Sequence, residues 1–120
     1  MPSGVYTRKL NPKSAPSEYP TTQDIAWAAG IYEGEGWCAQ DSKSRIKVGQ
    51  KDPWLPERLR ALFGGSVYME HHSRISDGYH REDPFYVWAL SGARARGFLM
   101  SIYGLLSPRR KAYIARALEL

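Results

Sequence analysis

Two carboxylates stand close together in a run of small residues, and they are the side chains in this sequence best suited to chemistry. Glu33 and Glu35 are separated by Gly34. A carboxylate can ligate a hard cation such as Mg²⁺, and a facing pair can act as acid and base in hydrolysis, as in glycosidases. Side chains two apart on a helix point to different sides. Glu35 is therefore the candidate metal ligand, Glu33 is expected to contact its own backbone or a partner subunit, and a glycosidase-like pair is disfavoured.

The helix that carries these residues has its smallest side chains on one stripe. Ala26, Gly30 and Gly34 recur every four residues, which places them on one helix face. Each interior glycine costs about 1 kcal/mol relative to alanine, so close approach of another backbone is expected as compensation. That backbone belongs either to the sheet of the same chain or to a symmetry copy of the helix. In the second case two Glu35 carboxylates would meet and form a metal site shared between subunits.

The same run resembles the signature of the LAGLIDADG homing endonucleases in its Gly-Glu-Gly variant. Ala28 stands where the first Leu of the signature usually is, Gly30 matches its first Gly, and residues 33–36 match its closing Asp-Ala-Asp-Gly. The order of elements resembles the family from Thr21 to the C-terminus. Phrases similar to those of the family are found at residues 62–68, 88–92 and 106–111.

The resemblance implies an α+β fold of order αββαββα, with a four-stranded, antiparallel, saddle-shaped sheet and the helices on one face. Thr21 or Thr22 can cap the first helix. The predicted strands are residues 37–41, 45–50, 66–71 and 85–90, and the later helices are residues 52–63, 93–103 and 107–120. The sequence has one copy of the motif and no internal repeat. Residues 21–120 are therefore expected to form half of a two-fold active site in a homodimer.

The first 20 residues differ from the rest in composition. They are rich in proline and serine, and their basic side chains outnumber Glu18. Such a segment is predicted to form no regular element. It is interpreted as a basic arm that lies along DNA or reaches into a minor groove, or as a solvated leader or packing strap.

Alternation along the predicted strands separates a core face from a groove face. In the second strand Arg45 and Lys47 point away from the apolar side chains. In the third strand the groove face is assigned Val67, Met69 and His71, and the core face of the fourth is assigned Tyr86, Trp88 and Leu90. A face with Arg45 and Lys47 fits a DNA major groove; the alternative is an ordinary solvated sheet face.

Nucleic-acid contacts are expected from this face, from a polar loop at residues 73–84 and from the C-terminal helices. From Ala93 onward there are six basic residues against Glu119 alone. The candidate DNA-binding residues are Trp37, Asp41, Lys43, Arg45, Lys47, Lys51, Met69, His71, Arg74, Arg81, Arg110 and Lys111. The expected dimer interface comprises Ala26, Gly30, Glu33 and Gly34.

The resemblance further implies metal-assisted hydrolysis of double-stranded DNA, in which each subunit cuts one strand and short 3′ overhangs result. Mg²⁺ would be held by the Glu35 carboxylate, the Gly34 carbonyl and the scissile phosphates. Gln50 matches the family's polar position that orients water or metal. Arg109 matches its basic position, where the family often has Lys. Because an arginine cannot donate a proton at ordinary pH, Arg109 is expected only to neutralise phosphate charge.

Charge, cysteine content and hydropathy limit the other classes of function that this sequence could have. The net charge of +5, from 17 basic and 12 acidic residues, is compatible with nucleic-acid binding. The single Cys38 excludes an intrachain disulfide, no apolar run is long enough to span a membrane, and a cytoplasmic protein is expected. The three histidines lack zinc-site spacing. The leading interpretation is a site-specific homing endonuclease, and its rival is a non-cleaving DNA- or RNA-binding relative such as an intron maturase or a regulator.

Overall fold

The described part of the chain forms four α-helices and one antiparallel sheet of five strands, an α+β fold. The computed structural model describes the backbone of residues 5–39, 44–76 and 79–118, and the side chains of residues 14–39, 44–71 and 84–118. The strands are β1 (Val5–Ser14), β2 (Gly36–Cys38), β3 (Arg45–Gln50), β4 (Gly65–Ser76) and β5 (Tyr79–Ser91). The helices are α1 (Thr22–Glu35), α2 (Trp54–Phe63), α3 (Gly92–Ile102) and α4 (Pro108–Leu118), with a 3₁₀ turn at Tyr103–Leu105. The strand order in the sheet is β1-β4-β5-β3-β2.

The prediction that the first 20 residues form no regular element is wrong for β1, which pairs with β4. Pro12 is tolerated in β1 because β1 is an edge strand. An edge strand pairs on one side only, so a residue without an N–H can occupy a position whose N–H would point to solvent. The register shifts between Asn11 and Ser14, around Pro12. Arg94 anchors the end of the strand, because its Nη1 donates a 2.6 Å hydrogen bond to the Ser14 carbonyl.

The hairpin of β4 and β5 is longer than the sequence pattern predicts. All four predicted strands are present, but within the segment 73–84 that is predicted as a polar loop, residues 73–76 continue β4 and residues 79–84 belong to β5. The pairing runs from Ser66 opposite Ala89 to Ser76 opposite Tyr79. A polar composition does not prevent a strand when the cross-strand ladder satisfies the backbone groups.

The helices cover one face of the sheet, and the core lies between them and that face. Ile46, Val48 and Trp88 are buried there, as the alternation predicts. The Trp88 Nε1–H donates a 2.8 Å hydrogen bond to the Gly64 carbonyl, at the residue that ends α2. The Trp88 ring packs edge-on against Phe98 of α3, with the ring centroids 5.1 Å apart. One buried ring of β5 therefore fixes both α2 and α3.

The face assignment of β4 differs from the prediction by one residue. Val67 is 0% exposed and is the Cα partner of Trp88. Met69 and His71 share the helix-covered face by alternation, and Tyr68 belongs to the outer face. Val67 and Tyr68 suit either face by polarity, so the position of β4 is decided by its pairing with β5. The assignment of Val67, Met69 and His71 to the outer face is therefore wrong.

A capping box begins α1 where the sequence predicts. The Asp24 N–H donates to Thr21 Oγ1 (3.1 Å), and the Thr21 N–H donates to Asp24 Oδ2 (2.9 Å), which satisfies amides that the helix leaves free. The Thr21 N–H and the Thr21 hydroxyl (3.0 Å) both donate to the Asp24 carboxylate, and these two bonds, with a smaller contribution from Arg58, hold the pKa of Asp24 below its usual value. Arg58 also pairs with Glu18 at 2.8 Å. The residues before α1 are thereby tied to α2.

The junction at which α1 passes directly into β2 depends on Gly36. The buried Tyr32 ring lies against its Cα, and a Cβ at position 36 would be 2.6 Å from Cγ and Cε1 of that ring. The backbone of Gly36 is extended (φ −75°), a conformation open to any residue. Close packing, rather than backbone conformation, therefore requires glycine here.

Replacing Gly36 with alanine is expected to lower the free energy of unfolding by about 1–3 kcal/mol, because a buried ring must move. The matched control is Gly97→Ala in α3, where no described atom lies within 4 Å of the Cβ position. Alanine there should raise stability by about 0.5–1 kcal/mol. Urea unfolding measures both variants. Equal stability of Gly36→Ala and the wild type would contradict the packing argument.

Candidate active site and nucleic-acid interface

The small-residue stripe of α1 faces away from the core. Ala28, Ala29 and Tyr32 are the buried residues of the helix, whereas Gly30 and Gly34 are exposed and no described atom lies within 4 Å of their Cβ positions. Ala26 of the same stripe is exposed as well. The alternative that the stripe packs against the chain's own sheet is therefore wrong. Within the described residues, the cost of two interior glycines has no compensating contact.

Glu33 is held by the start of α4. The Ser107 N–H donates a 2.7 Å hydrogen bond to one carboxylate oxygen, and the Ser107 hydroxyl donates a 2.8 Å bond to the other. The backbone hydrogen bond is the main reason why the pKa of Glu33 lies below its usual value. Of the two expected alternatives, contact with its own chain is confirmed. Glu33 thus joins the end of α1 to the start of α4, and its bonded carboxylate argues further against a glycosidase-like pair with Glu35.

Arg110 bonds to the backbone where α1 passes into β2. Its Nε donates to the Glu33 carbonyl (3.1 Å), and its Nη1 donates to the Gly36 carbonyl (2.9 Å). Its guanidinium lies 5.6 Å from the centroid of the Tyr32 ring, and its side chain is only 14% exposed. A cation here satisfies carbonyls at the C-terminal end of α1. Arg110, predicted to contact DNA, therefore has its guanidinium engaged at this helix end in the structure.

Glu35 is the last residue of α1, and its exposed side chain makes no hydrogen bond or ion pair with the described residues. Gln50 comes to the same junction, because Gly36 is the Cα partner of Val48, two residues before Gln50. Arg109 is exposed in the first turn of α4 and is close enough to Glu33 to contribute to its lowered pKa. The three predicted catalytic residues therefore belong to the elements that meet where α1 ends.

The outer face of the sheet carries both cations and rings. Trp37 and Lys47 are Cα partners on β2 and β3. The Lys47 Nζ lies 5.4 Å from the centroid of Trp37 and 6.0 Å from that of Tyr68. Phe85 lies across Gly49, where a Cβ would be 3.1 Å from Cδ2 and Cζ of its ring. We call Trp37, Lys47 and Tyr68 the Lys47 cluster.

The remaining predicted contacts are distributed over several places. Lys51 is exposed just after β3, and the Lys111 Nζ lies 5.8 Å from the centroid of the Tyr103 ring. Arg74 and Arg81 are Cα partners in the β4–β5 hairpin, and their side chains lie outside the described set. The positions of Asp41 and Lys43 also lie outside the described residues.

Two residues of the candidate site are not identified from the sequence. Tyr68 is not identified because the sequence pattern assigns the neighbouring residues Val67 and Met69 of β4 to the outer face, and Tyr68 therefore to the core face. Ser107 was missed although it precedes Pro108, and a serine followed by proline is a usual start of a helix. That pattern predicts the cap of α4, but it does not predict that Glu33 is its partner.

No protein-family model, curated protein or solved structure matches this chain. Among the described residues there is no helix whose length and apolar character would allow it to cross a membrane. The described side chains also contain no group of three or more His, Cys, Asp or Glu residues placed to hold a metal ion.

Glu33→Gln is expected to lower stability at neutral pH, and the difference from the wild type should shrink in acid. Because folding lowers the pKa of Glu33, its contribution is fully present above the ordinary glutamate pKa and is lost as the pH falls through the folded value. Urea unfolding between neutral pH and about pH 3 measures this. In a Ser107→Ala background the effect should be smaller. A difference that does not change with pH would contradict the assigned role.

Proposed function

We propose that this chain is one half of a homodimeric, Mg²⁺-dependent endonuclease of the LAGLIDADG type, which cuts both strands of a specific DNA duplex. The observation that carries the proposal is the exposed glycine stripe on α1, a helix that ends in the exposed carboxylate of Glu35. The α+β architecture, with helices on one face of an antiparallel sheet, is compatible with the LAGLIDADG domain that the sequence resembles.

The dimer is proposed on energetic grounds. Gly30 and Gly34 each cost about 1 kcal/mol relative to alanine, and the described part of the chain offers no atom that would clash with an alanine at either place. Close approach of a second copy of α1 would provide the missing reason for glycine, since two helix backbones can then pack in contact. A two-fold axis along this stripe would bring the two Glu35 side chains to one end of the helix pair.

The residues at this end fit a magnesium ion that is shared with substrate. The described side chains of one chain contain no group of ligands that would form a closed protein cage, but Mg²⁺ keeps several waters and is usually held by one or two carboxylates plus substrate phosphates. Glu35 and the Gly34 carbonyl would hold it. When bound, the ion would stabilise charge on the phosphate and lower the pKa of its water.

The chain's own residues would divide the other tasks. Gln50 has an amide that can orient a water at the α1–β2 junction. Arg109 stays protonated and would neutralise phosphate charge without transferring a proton. Glu33 and Arg110 would not contact the substrate. Their hydrogen bonds to the neighbouring elements would hold Glu35 in position.

Duplex DNA would lie against the outer face of the sheet. Arg45 and Lys47 point outward from β3, and Arg45 is exposed. A twisted β-ribbon fits the major groove, where long basic side chains reach the acceptor atoms of guanine or the phosphates. Because Trp37 on this face follows Glu35 by two residues, DNA on the face would reach the carboxylate.

Glu35→Gln is expected to abolish cleavage and leave DNA affinity within a few fold, because the exposed carboxylate makes no structural contact in the described chain. A randomised duplex library is incubated with Mg²⁺ and the cut ends are sequenced. The wild type should give symmetric sites with short 3′ overhangs. Glu57→Gln, which removes a carboxylate that pairs with Arg60 on α2, is the matched control and should cut normally.

Two outcomes of this experiment go against the proposal. Cleavage by Glu35→Gln at the wild-type rate would remove Glu35 from the mechanism. Binding of duplex by the wild type with no cut ends under any divalent-ion condition would favour the rival, a non-cleaving relative; the arginine at position 109, where the family often has Lys, is the feature that favours it.

Gly30→Leu is expected to convert the dimer to a folded monomer, because a large side chain would hold the two copies of α1 apart. Sedimentation equilibrium measures the mass. Gly97→Leu introduces the same side chain at an exposed helical glycine of α3 and should remain dimeric. An intact Gly30→Leu dimer, or a wild type that is monomeric throughout, would refute the interface.

A further inference from the structure

The outer face of the sheet carries aromatic rings, which hydrogen-bonded readout of a duplex does not require. Trp37 is 44% exposed, and Tyr68 and Phe85 are half-buried. They lie on three different strands, β2, β4 and β5. Base edges in a groove are read by hydrogen-bonding side chains, whereas rings offer flat apolar surfaces. The face is therefore equipped for a ligand that has accessible flat rings of its own.

We infer that this face also binds single-stranded nucleic acid, with unpaired bases stacked on Trp37 and Tyr68 and the phosphates held by Lys47 and Arg45. The binding goes beyond the proposed nuclease and does not depend on Glu35. In a duplex the bases are stacked on one another and expose only their edges, but an unpaired base offers its whole face to a side-chain ring. Four-stranded sheets with exposed aromatic rings hold two or three bases in this manner.

The Lys47 cluster joins charge to these rings. The Lys47 Nζ is within about 6 Å of both ring centroids, a distance at which an ammonium group interacts with a ring face. A nucleotide bound here can stack its base on a ring while its phosphate meets the same ammonium group. This pairing of a cation with rings is the chemistry that single-strand sites use, irrespective of base sequence.

A shallow groove continues from the cluster along the outer face. It is lined by Arg45, Lys47 and the small side chains of Ser66 and Ala89, among others. Small residues allow a phosphodiester backbone to approach the sheet, and the two cations, both on β3, line one side of the groove. Glu70 is on this face too, but it lies four residues along β4 from Ser66 and away from the groove.

The test measures binding of fluorescein-labelled oligothymidylate and oligouridylate by anisotropy, in EDTA so that no cleavage occurs. Trp37→Ala and Tyr68→Ala should each weaken binding by between about five-fold and about a hundred-fold, the range for loss of one stacked base. Lys47→Ala should lower the slope of log affinity against log salt by about 0.7. The two oligonucleotides distinguish DNA from RNA as the preferred strand.

The matched control is Trp54→Ala, which removes a 62% exposed tryptophan from α2 on the helix side of the sheet and should bind as the wild type does. Glu35→Gln should also bind normally, so failure of the nuclease proposal and failure of this one are distinguishable. Wild-type affinity in Trp37→Ala would overturn the inference, as would the absence of single-strand binding. An equal loss of affinity for a fully paired duplex would do so as well, because stacking requires unpaired bases.

Discussion

The contacts that hold the C-terminal end of α1 against α4 are the ones on which the candidate site depends. Ser107 donates two hydrogen bonds to Glu33, and Arg110 donates two to carbonyls at the α1–β2 junction. A carboxylate thereby meets the amide end of α4 and a guanidinium meets the carbonyl end of α1, each the sign that the helix dipole favours. Glu35 is held in place by its neighbours, although its own side chain bonds to none of the described residues.

Two surfaces are left outside the core, and they meet at this junction. The helices cover one face of the sheet, so the other face presents the Lys47 cluster. The core takes Ala28, Ala29 and Tyr32 of α1, so the glycine stripe is exposed. Because α1 runs directly into β2, Glu35 stands at the end of the stripe and at the edge of the outer face. Under the proposed function, one short segment therefore serves the dimer contact, the chemistry and the nucleic acid.

Features with short-range causes were predictable from sequence. The Thr21–Asp24 cap, the bounds of β3 and the helix stop at Gly64 all follow from residues within a few positions of one another, because capping, alternation and positive φ are local effects. The face of β4 and the existence of β1 were predicted wrongly. Both depend on strand pairing, since an apolar residue such as Val67 suits either face until a partner strand fixes the register.

The sequence by itself determined the chemistry available at the end of α1: a carboxylate as the last residue of a glycine-stepped helix, an amide at Gln50 and basic residues in the first turn of the last helix. Only the tertiary structure decided which of these groups bond within the chain and which stay exposed. It bonded Glu33 to Ser107 and Arg110 to the carbonyls of Glu33 and Gly36, left Glu35 exposed and brought Lys47 close to two rings. The physical reason is that these partners lie between 10 and 77 positions apart in the chain, so their pairing follows from how the sheet and helices pack and not from any local pattern.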